Sequence, residues 1–513
     1  MRKFIIAIGL TLLCFAANAQ MIGNEQMRQS DLPFLDSSSA FSYPGLTIPS
    51  LYPVLVDSKP LHKVMNSTWL NRKLFQEDLV LMKDDKYTIS INPVLDLRYG
   101  REGDSLLYQN TRGFVLNGKF GNNLFVRSEF YENQAVLPSF ASDWVDTMKV
   151  IPGMINAKSF GSNGYDYGVV FSQIMWQPFK SYGVRLGYDR FHIGKGYRSM
   201  VLSDASEAYP FLMNTFTHKK WSLSHNIASL TNPDFNNILG IPRSETGAFQ
   251  QKWFSFTYFT FSPAKWLNLG LYESVIFMPS DSTGISFYPT SMLPLPLVRT
   301  VAEKSKGLHH AMVALLADAT IKEQLILYSQ VVVDDINSNY QTFQGAFQLG
   351  FRWKQKNKDW PIWAYSEFNI ATNNAYTSSN SWTAYTHYDQ PLSHPSGQQF
   401  VEWASGFHFS KFNWLANIQY NIIWATGLPV TNSYFGTDSY SGNGFYAPQA
   451  NPDKVSHLQM TLGYSINKTT NLVVFAGLHY RNYKNSYSDI PTNSLMYEIG
   501  IRHTIRRQYY DFF

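Results

Sequence analysis

Two stretches of this chain carry side chains whose types and spacing suit chemistry. The first runs Gly194-Lys195-Gly196-Tyr197-Arg198-Ser199-Met200-Val201-Leu202-Ser203-Asp204 and resumes at Tyr209-Pro210-Phe211-Leu212. Met200, Val201 and Leu202 are three apolar residues in a row, which is odd for a loop in water. The segment is expected to fold back and pack, its glycines allowing a tight path. Arg198 and Lys195 would then meet inward carboxylates such as Asp189 or Asp96. The second stretch runs Tyr385-Thr386-His387-Tyr388-Asp389-Gln390-Pro391-Leu392-Ser393-His394-Pro395-Ser396-Gly397. Aromatic faces stack on sugar C–H groups, and planar polar groups bond paired hydroxyls, so this set suits a saccharide. Each stretch has a second reading, as packing that only braces the molecule.

Elsewhere the chemistry is sparse. His309 and His310 are neighbours on a predicted strand, so they project to opposite faces and cannot chelate together. Asp334-Asp335 has the same geometry, and Asp84-Asp85 between Lys83 and Lys86 reads as a solvated turn. The chain has no Walker A loop, G-x-S-x-G, H-E-x-x-H or EF-hand loop. With 12 histidines and many serines, hydrolase-like pairs arise by chance, and none passes a geometric test for an active site. The expectation is a protein that is not an enzyme, with no cofactor and no metal.

The elements that must position these stretches follow from composition and periodicity. Hydrophobic residues make up 44% of the 513, aromatics 16% and charged residues only 15%, against about 25% charged in a typical soluble domain. Mean hydropathy is nevertheless only -0.22. The apolar content excludes disorder. No apolar run reaches the roughly 18 residues of a membrane helix. A net charge of +5 gives no electrostatic support for nucleic acid as a partner. Antiparallel β-structure with one face in lipid remains.

From Lys86 onward the period is two. Tyr87, Ile89, Ile91, Leu95, Leu97 and Tyr99 alternate with Thr88, Ser90, Asn92, Asp96 and Arg98. Phe347, Leu349, Phe351 and Trp353 alternate with Gln348, Gly350, Arg352 and Lys354. Runs beginning at Phe412 and Leu458 repeat the pattern, and the last carries Leu495, Tyr497, Ile499, Ile501, His503 and Ile505 on one face. Such runs, about 9–13 residues long, match tilted strands crossing a membrane. Short turns are predicted at Gly121-Asn123, Gln177-Lys180, Ser262-Lys265, Ala319-Ile321, Ser410-Lys411 and Asn467-Thr470. Long loops are predicted near 133–163, 192–210, 231–250, 278–307, 372–399 and 425–454. Splitting Phe211 to Leu230 at Lys219-Lys220 keeps short and long connections alternating. The fold class is thus an all-β transmembrane antiparallel barrel of about 18 strands, with 16 as the other even count.

Residues 1–19 read as an export signal. Arg2 and Lys3 precede an apolar Phe4 to Ala17, and Ala17-Asn18-Ala19 is a small-x-small cleavage site. The single cysteine, Cys14, lies within that signal, so the mature chain is expected to have no disulfide. Residues 20–85 read as a periplasmic extension. Prolines at 33, 44, 49, 53 and 60 extend it, and a helix is predicted from Thr68 to Leu81, capped by Ser67 or Thr68. Residues 86–513 form the barrel. Its C-terminal Tyr509-Tyr510-Asp511-Phe512-Phe513 fits the terminal aromatic of many outer-membrane barrels.

At Gly194-x-Gly196-Tyr197-Arg198-Ser199, Leu202-Ser203-Asp204 and Tyr209-Pro210-Phe211-Leu212 the sequence resembles the Wzi capsule-assembly family, and in particular its RemB-like gliding-motility branch. Tyr388-x-Gln390-Pro391-Leu392-x-His394-Pro395-x-Gly397 and Gly500-Ile501-Arg502 with Tyr509-Tyr510-Asp511-Phe512 are similar to that branch as well. The resemblance covers roughly 86–513. It implies an 18-stranded outer-membrane barrel that is no open pore and that holds capsular or slime polysaccharide at the cell surface, with surface motility proteins as a further class of partner.

The reading drawn from all this is a monomeric barrel in outer-membrane lipid, closed by inward loops, binding extracellular polysaccharide. Tyr197, Arg198, Asp204, Tyr388, Gln390 and His394 are the candidate residues. Arg198 and Asp204 are expected to order the plug, and Tyr388 and His394 to touch glycan. Two other readings fit the same pattern, a passive diffusion porin and an outer-membrane hydrolase.

Overall fold

The computed structural model describes residues 68–75, 77–148, 150–155, 157–232, 250–277, 293–295, 297, 309–337, 342–355, 362–378, 383–425, 452–467, 470–485, 491–503 and 510–512. The export signal, the proline-rich lead-in, Ser67, the loop over 278–307 apart from 293–295 and 297, most of 231–250 and 425–454, and Phe513 lie outside them.

The described chain opens with helix α1 (Trp69–Phe75), β1 (Val80–Lys83), β2 (Tyr87–Glu102), β3 (Ser105–Phe120) and β4 (Leu124–Val136). Helix α2 (Ser139–Met148) and β5 (Lys158–Phe160) sit in the next loop. Then come β6 (Gly164–Phe179), β7 (Tyr182–Asp189), β8 (Tyr209–His218), β9 (Trp221–Asn232), β10 (Gln250–Ala264) and β11 (Leu267–Phe277). These are followed by β12 (His309–Ile321), β13 (Leu325–Asn337), β14 (Thr342–Lys354) and β15 (Ile362–Ala371). A small hairpin, β16 (Thr386–His387) and β17 (Gln390–Pro391), precedes β18 (Phe400–Lys411) and β19 (Trp414–Ala425). The chain continues through β20 (Asp453–Asn467), β21 (Leu472–Lys484) and β22 (Thr492–Arg502).

Each long strand pairs antiparallel with the next, β4 with β6 and β15 with β18, and β22 closes on β2 from Asp96–Arg502 to Glu102–Met496. Among the described residues the result is a closed barrel of 18 strands. The split at Lys219-Lys220 is real. His218 pairs with Trp221, and Lys219 takes φ 48°, the left-handed conformation of a tight hairpin. Several hairpins close later than predicted, at residues 180–181, 265–266, 322–324 and 412–413, because the strands run on. β2, β3 and β6 reach 16 residues each.

Alternation sorts the side chains by solvent. On β14, Leu349 (54% exposed), Phe351 and Trp353 face outward while Gln348 (0%) and Arg352 face the lumen. Trp176, Leu315, Trp403, Leu462 and Ile499 continue the outward apolar surface on other strands. A closed sheet wrapped in such a surface is built to sit in lipid, and this is an outer-membrane barrel.

The N-terminal helix differs from prediction. Thr68 does cap it, its Oγ1 accepting from Asn71 N at 3.4 Å. The helix stops at Phe75, however, and Val80–Lys83 is a strand. The physical reason lies at the barrel seam. β22 covers β2 only from Asp96 upward, leaving the start of β2 with an unpaired edge. An open edge leaves backbone groups unsatisfied. β1 fills it from Val80–Ile91 to Lys83–Thr88, and this pairing outweighs a helical apolar pattern. Asn92 locks the junction, accepting from Leu79 N at 2.9 Å and donating to Asp78 Oδ1 at 2.6 Å. Asn92→Ala should therefore lower stability by about 1–3 kcal/mol, read as a lower temperature for the gel-mobility shift of the folded barrel. An unchanged transition would show that the seam does not depend on this amide.

Candidate functional site

The hydrophobic core of this barrel is in its lumen. Met200, Val201 and Leu202 are fully buried there, against a cluster that includes Phe191, Tyr209, Phe254 and Phe256. The 190–208 loop reaches this position as a compact ring. Ile193 N donates to Leu202 O at 2.9 Å. Inside the ring, Ser199 Oγ donates to Ile193 O at 2.6 Å and accepts from Val201 N and Leu202 N. The two glycines are required. Gly194 has φ 117°, and a Cβ there would lie 2.0 Å from Gln330 Nε2. A Cβ on Gly196 would lie 2.7 Å from Gln348.

Two lumen carboxylates clamp the ring to the wall. Glu367 on β15 accepts from Tyr197 N at 2.7 Å and Arg198 N at 2.9 Å, and also from Tyr328 Oη at 2.8 Å. Glu402 on β18 pairs with Arg198, which is 1% exposed, at 3.0 Å. Asn369 bridges both, donating to Glu367 and Glu402. Gln330, Gln348 and Arg352 bond the loop backbone at Met200 N, Ile193 O, Arg198 O and Gly196 O. The expected partners of Arg198 are thereby corrected. Asp96 pairs with Arg98 at 2.8 Å, and Asp189 accepts from Gln173 at 2.7 Å. Asp189 also anchors the neck of the loop, accepting from Arg190 N. The loop crosses the lumen, so Arg198 meets the opposite wall. Lys195 takes part in none of the ion pairs among the described residues.

The segment after β22 supplies a third acceptor. Tyr510, Asp511 and Phe512 lie inside the barrel, with Asp511 and Phe512 buried. Asp511 is 3.1 Å from Arg198 Nη2, accepts from the Tyr197 hydroxyl, and accepts from Gln419 Nε2 at 2.7 Å. Phe512 packs edge-on against Trp144 of α2. Burial opposes a charge on Arg198, yet Asp511 and Glu402 hold its pKa well above the ordinary guanidinium value, so the clamp is ionic.

The 372–399 loop lies beside the first. Leu392 O accepts from Ser203 N at 2.7 Å, and Tyr385 Oη donates to Val201 O. Gln390 accepts from Gly153 N at 2.6 Å and donates to Met154 O at 2.9 Å, tying in the α2 loop. His394 is fully enclosed: Nε2 donates to Glu402 at 2.6 Å and Nδ1 accepts from Ser396 N. His387 is held alike, Nδ1 accepting from Thr231 N at 2.9 Å and Nε2 donating to Ala208 O at 3.0 Å. Each ring must be the neutral Nε2–H tautomer. Burial lowers the His387 pKa from 6.5 to about 3. Burial and Arg198 hold His394 below its usual range against the pull of Glu402.

The structure thus brings Tyr197, Arg198 and His394 into one cluster. Asp204 is buried 3.6 Å from His192, and Gln390 braces another loop. Tyr388 is half-buried at the tip of the β16–β17 hairpin. Tyr388 (φ 51°) and Asp389 (φ 58°) are both left-handed there, a strained choice where glycine or asparagine is usual. Sequence reasoning missed Glu367, Glu402 and Asp511. The first two had a visible signal, being acids on the inward phase of otherwise apolar-alternating strands. His310 and Asp334, one from each discarded pair, meet at 2.5 Å, and Asp334 also accepts from Tyr376 N.

No family model matches the chain, and no curated protein matches it. Among solved structures, Wzi from Escherichia coli is similar at a TM-score of 0.55 and 14% identity over 96% of this chain and 100% of that one. Wzi is an outer membrane protein involved in group 1 capsule assembly, a carbohydrate-binding β-barrel. The outer membrane protein OpdK from Pseudomonas aeruginosa aligns at 0.38 and 10% identity over 82% and 99% of the two chains. OccAB2 from Acinetobacter baumannii aligns at 0.42 and 10% over 81% and 97%. The likeness to Wzi is one of fold.

Two outcomes follow from the clamp. Glu402→Ala leaves Arg198 with Asp511 alone and His394 Nε2 without its acceptor, and should cost about 3–5 kcal/mol of docking, read as protease cleavage within 190–208 that the wild type resists. Acid should also loosen the plug. Above about pH 6.5 a released His387 is neutral like the docked one, so docking keeps its full strength. As pH falls from about 6.5 toward 3 only the released ring gains a proton, and docking weakens. Amide exchange across 383–399, corrected for intrinsic rates, should rise on acidification. His387→Gln, which can still accept from Thr231 N and donate to Ala208 O, should blunt that rise. A pH-independent profile in the wild type would refute the linkage.

Proposed function

We propose that this chain is a plugged outer-membrane barrel that holds surface polysaccharide at its loop end, by binding and without catalysis. The observation that carries the reading is the fastened lumen. Two loops and the 510–512 segment are tied to the wall by a buried ionic cluster, an arrangement suited to a fixed platform and ill suited to diffusion. The fold likeness to Wzi, a carbohydrate-binding barrel, supports the same reading. Tyr388 is the candidate glycan contact: an aromatic ring at a hairpin tip, only partly covered, on a backbone whose strain marks a functional position. Tyr197, Arg198, Asp204, Gln390 and His394 are plug residues that hold the platform still. A capsular or slime polymer is the partner class, and a role in gliding motility would follow from retention of such a polymer.

Cells bearing Tyr388→Ala should capture their own surface polysaccharide about tenfold more weakly than wild type, measured by pull-down with purified protein. Equal capture would remove Tyr388 from the site. In a planar bilayer the purified barrel should carry no large steady current. A stable ohmic conductance would favour the diffusion porin.

A further inference from the structure

Among the described residues the plug does not fill the whole lumen. Between the 510–512 segment and the wall formed by β19–β22, β2 and β3, a cavity of about 190 Å³ remains. Leu137, Pro138 and Phe140 line it at the loop end, and Asn471 and His503 at the turn end. Along β21 it extends from Val473 to His479, roughly 20 Å at the rise of a strand. It is therefore long and narrow, and it follows the tilted strands of the wall.

Its polar lining is partly unspent. His457 is 4% exposed, lines the cavity, and its Nδ1 has no hydrogen-bond partner. Asn417 and Gln459, on the neighbouring strands β19 and β20, also face the cavity, and no hydrogen bond among the described residues engages their amides. Leaving such groups unpaired is costly. Gly100 and Gly477 flank Glu498 on the adjacent strands, where a Cβ would come within 3.1 Å and 2.9 Å of its side chain. These glycines let Glu498 lie along the wall. It sits 3.7 Å from Arg98 and accepts from His479 Nε2.

The chemistry of the lining selects its occupant. Amides and imidazoles each offer a donor and an acceptor, which matches vicinal hydroxyls. Arg98 is met by Asp96 at 2.8 Å and by Glu498 at 3.7 Å, and Glu498 also interacts with Arg502, so the site has no excess charge for a phosphate. Leu107, Leu137, Leu415 and Phe475 stand among these polar groups, and a wall so mixed suits sugar rings, with C–H faces and hydroxyls together, better than an acyl chain. We propose that this cavity is a second glycan site, inside the barrel, that takes neutral sugar residues at the end of a polysaccharide chain entering from the loop end. The proposal rests on the reading that the loop end meets polysaccharide. End-first entry follows from shape, because a groove enclosed between wall and plug cannot admit the middle of a polymer.

The test uses full-length protein in detergent micelles. The probes are the surface polysaccharide of cells that express it, and its mild-acid fragments sized to a few sugar residues. Binding is measured by calorimetry for wild type, Gln459→Trp, which fills the cavity, and His457→Phe, which keeps the ring volume and removes the unpartnered nitrogen. Wild type should bind both the fragments and the intact polymer. Gln459→Trp should abolish fragment binding, and His457→Phe should weaken it about tenfold. Both variants should retain the gel-mobility shift of a folded barrel. If the polymer binds wild type and both folded variants equally, the lumen site is wrong and the surface reading stands. If neither polymer nor fragments bind wild type, the polysaccharide reading itself fails.

Discussion

A polypeptide loop placed inside a closed barrel must find partners for its own backbone. Eighteen strands enclose a lumen wider than side chains alone can fill, so the chain fills it with loops, and loops bring N–H and C=O groups that are expensive to bury unpaired. The wall of this barrel is written to satisfy them. Gln330 serves Met200 and Ile193, Gln348 serves Arg198, Arg352 serves Gly196, and Glu367 takes two successive N–H groups at Tyr197 and Arg198. Lys252 does the same for Ala384 in the second loop. The rest of the site depends on this accounting, because only a loop whose backbone is paid in hydrogen bonds can hold Arg198 against Glu402 in one position.

The architecture was legible in the sequence because a membrane imposes one rule on every strand. Alternation with the apolar phase outward marks Phe347 to Trp353 and its counterparts, and short connections alternate with long ones. Even the hairpin at Lys219-Lys220 was recoverable, from the parity of the loops. The plug was legible in outline, since Met200-Val201-Leu202 is unreasonable in water. Its partners were not. Sequence reasoning chose Asp189 and Asp96 as partners for Arg198, one of them close by in the chain. The loop instead spans the lumen to β15 and β18, and 204 positions separate Arg198 from Glu402. Such contacts depend on curvature and closure, which local patterns do not encode. The predicted helix over 68–81 exists only over Trp69–Phe75, for a related reason. Its second half completes a seam that exists only once β22 has met β2.

Two histidines of the second loop are held alike. His387 and His394 both accept a backbone N–H at Nδ1 and donate from Nε2, which fixes the tautomer and excludes the imidazolium. The buried charge is left to Arg198, whose guanidinium cannot be neutralised by ordinary pH changes. The division of labour is physical. A permanent cation holds the clamp, and titratable rings sit where their neutral form is the one that fits. Aromatic rings complete the filling, with Tyr197 stacked on Tyr365 at 5.2 Å and Phe191 edge-on to Phe211 at 4.7 Å.

The position of Asp511 couples closure of the plug to closure of the barrel. The segment that carries it follows β22, the strand that seals the sheet against β2, and His503 continues that seal by donating to Leu95 O at 2.8 Å. Asp511 then stands beside Tyr197 and Arg198 with Gln419 and Asn421 of β19 holding its carboxylate and carbonyl. A chain whose β22 had not yet paired with β2 would have no reason to present Asp511 at that height. The Arg198 guanidinium would then keep Glu402 alone, with Nη2 lacking its second acceptor. The ionic cluster that holds the plug and the seal that closes the sheet thus draw on the same C-terminal stretch of chain.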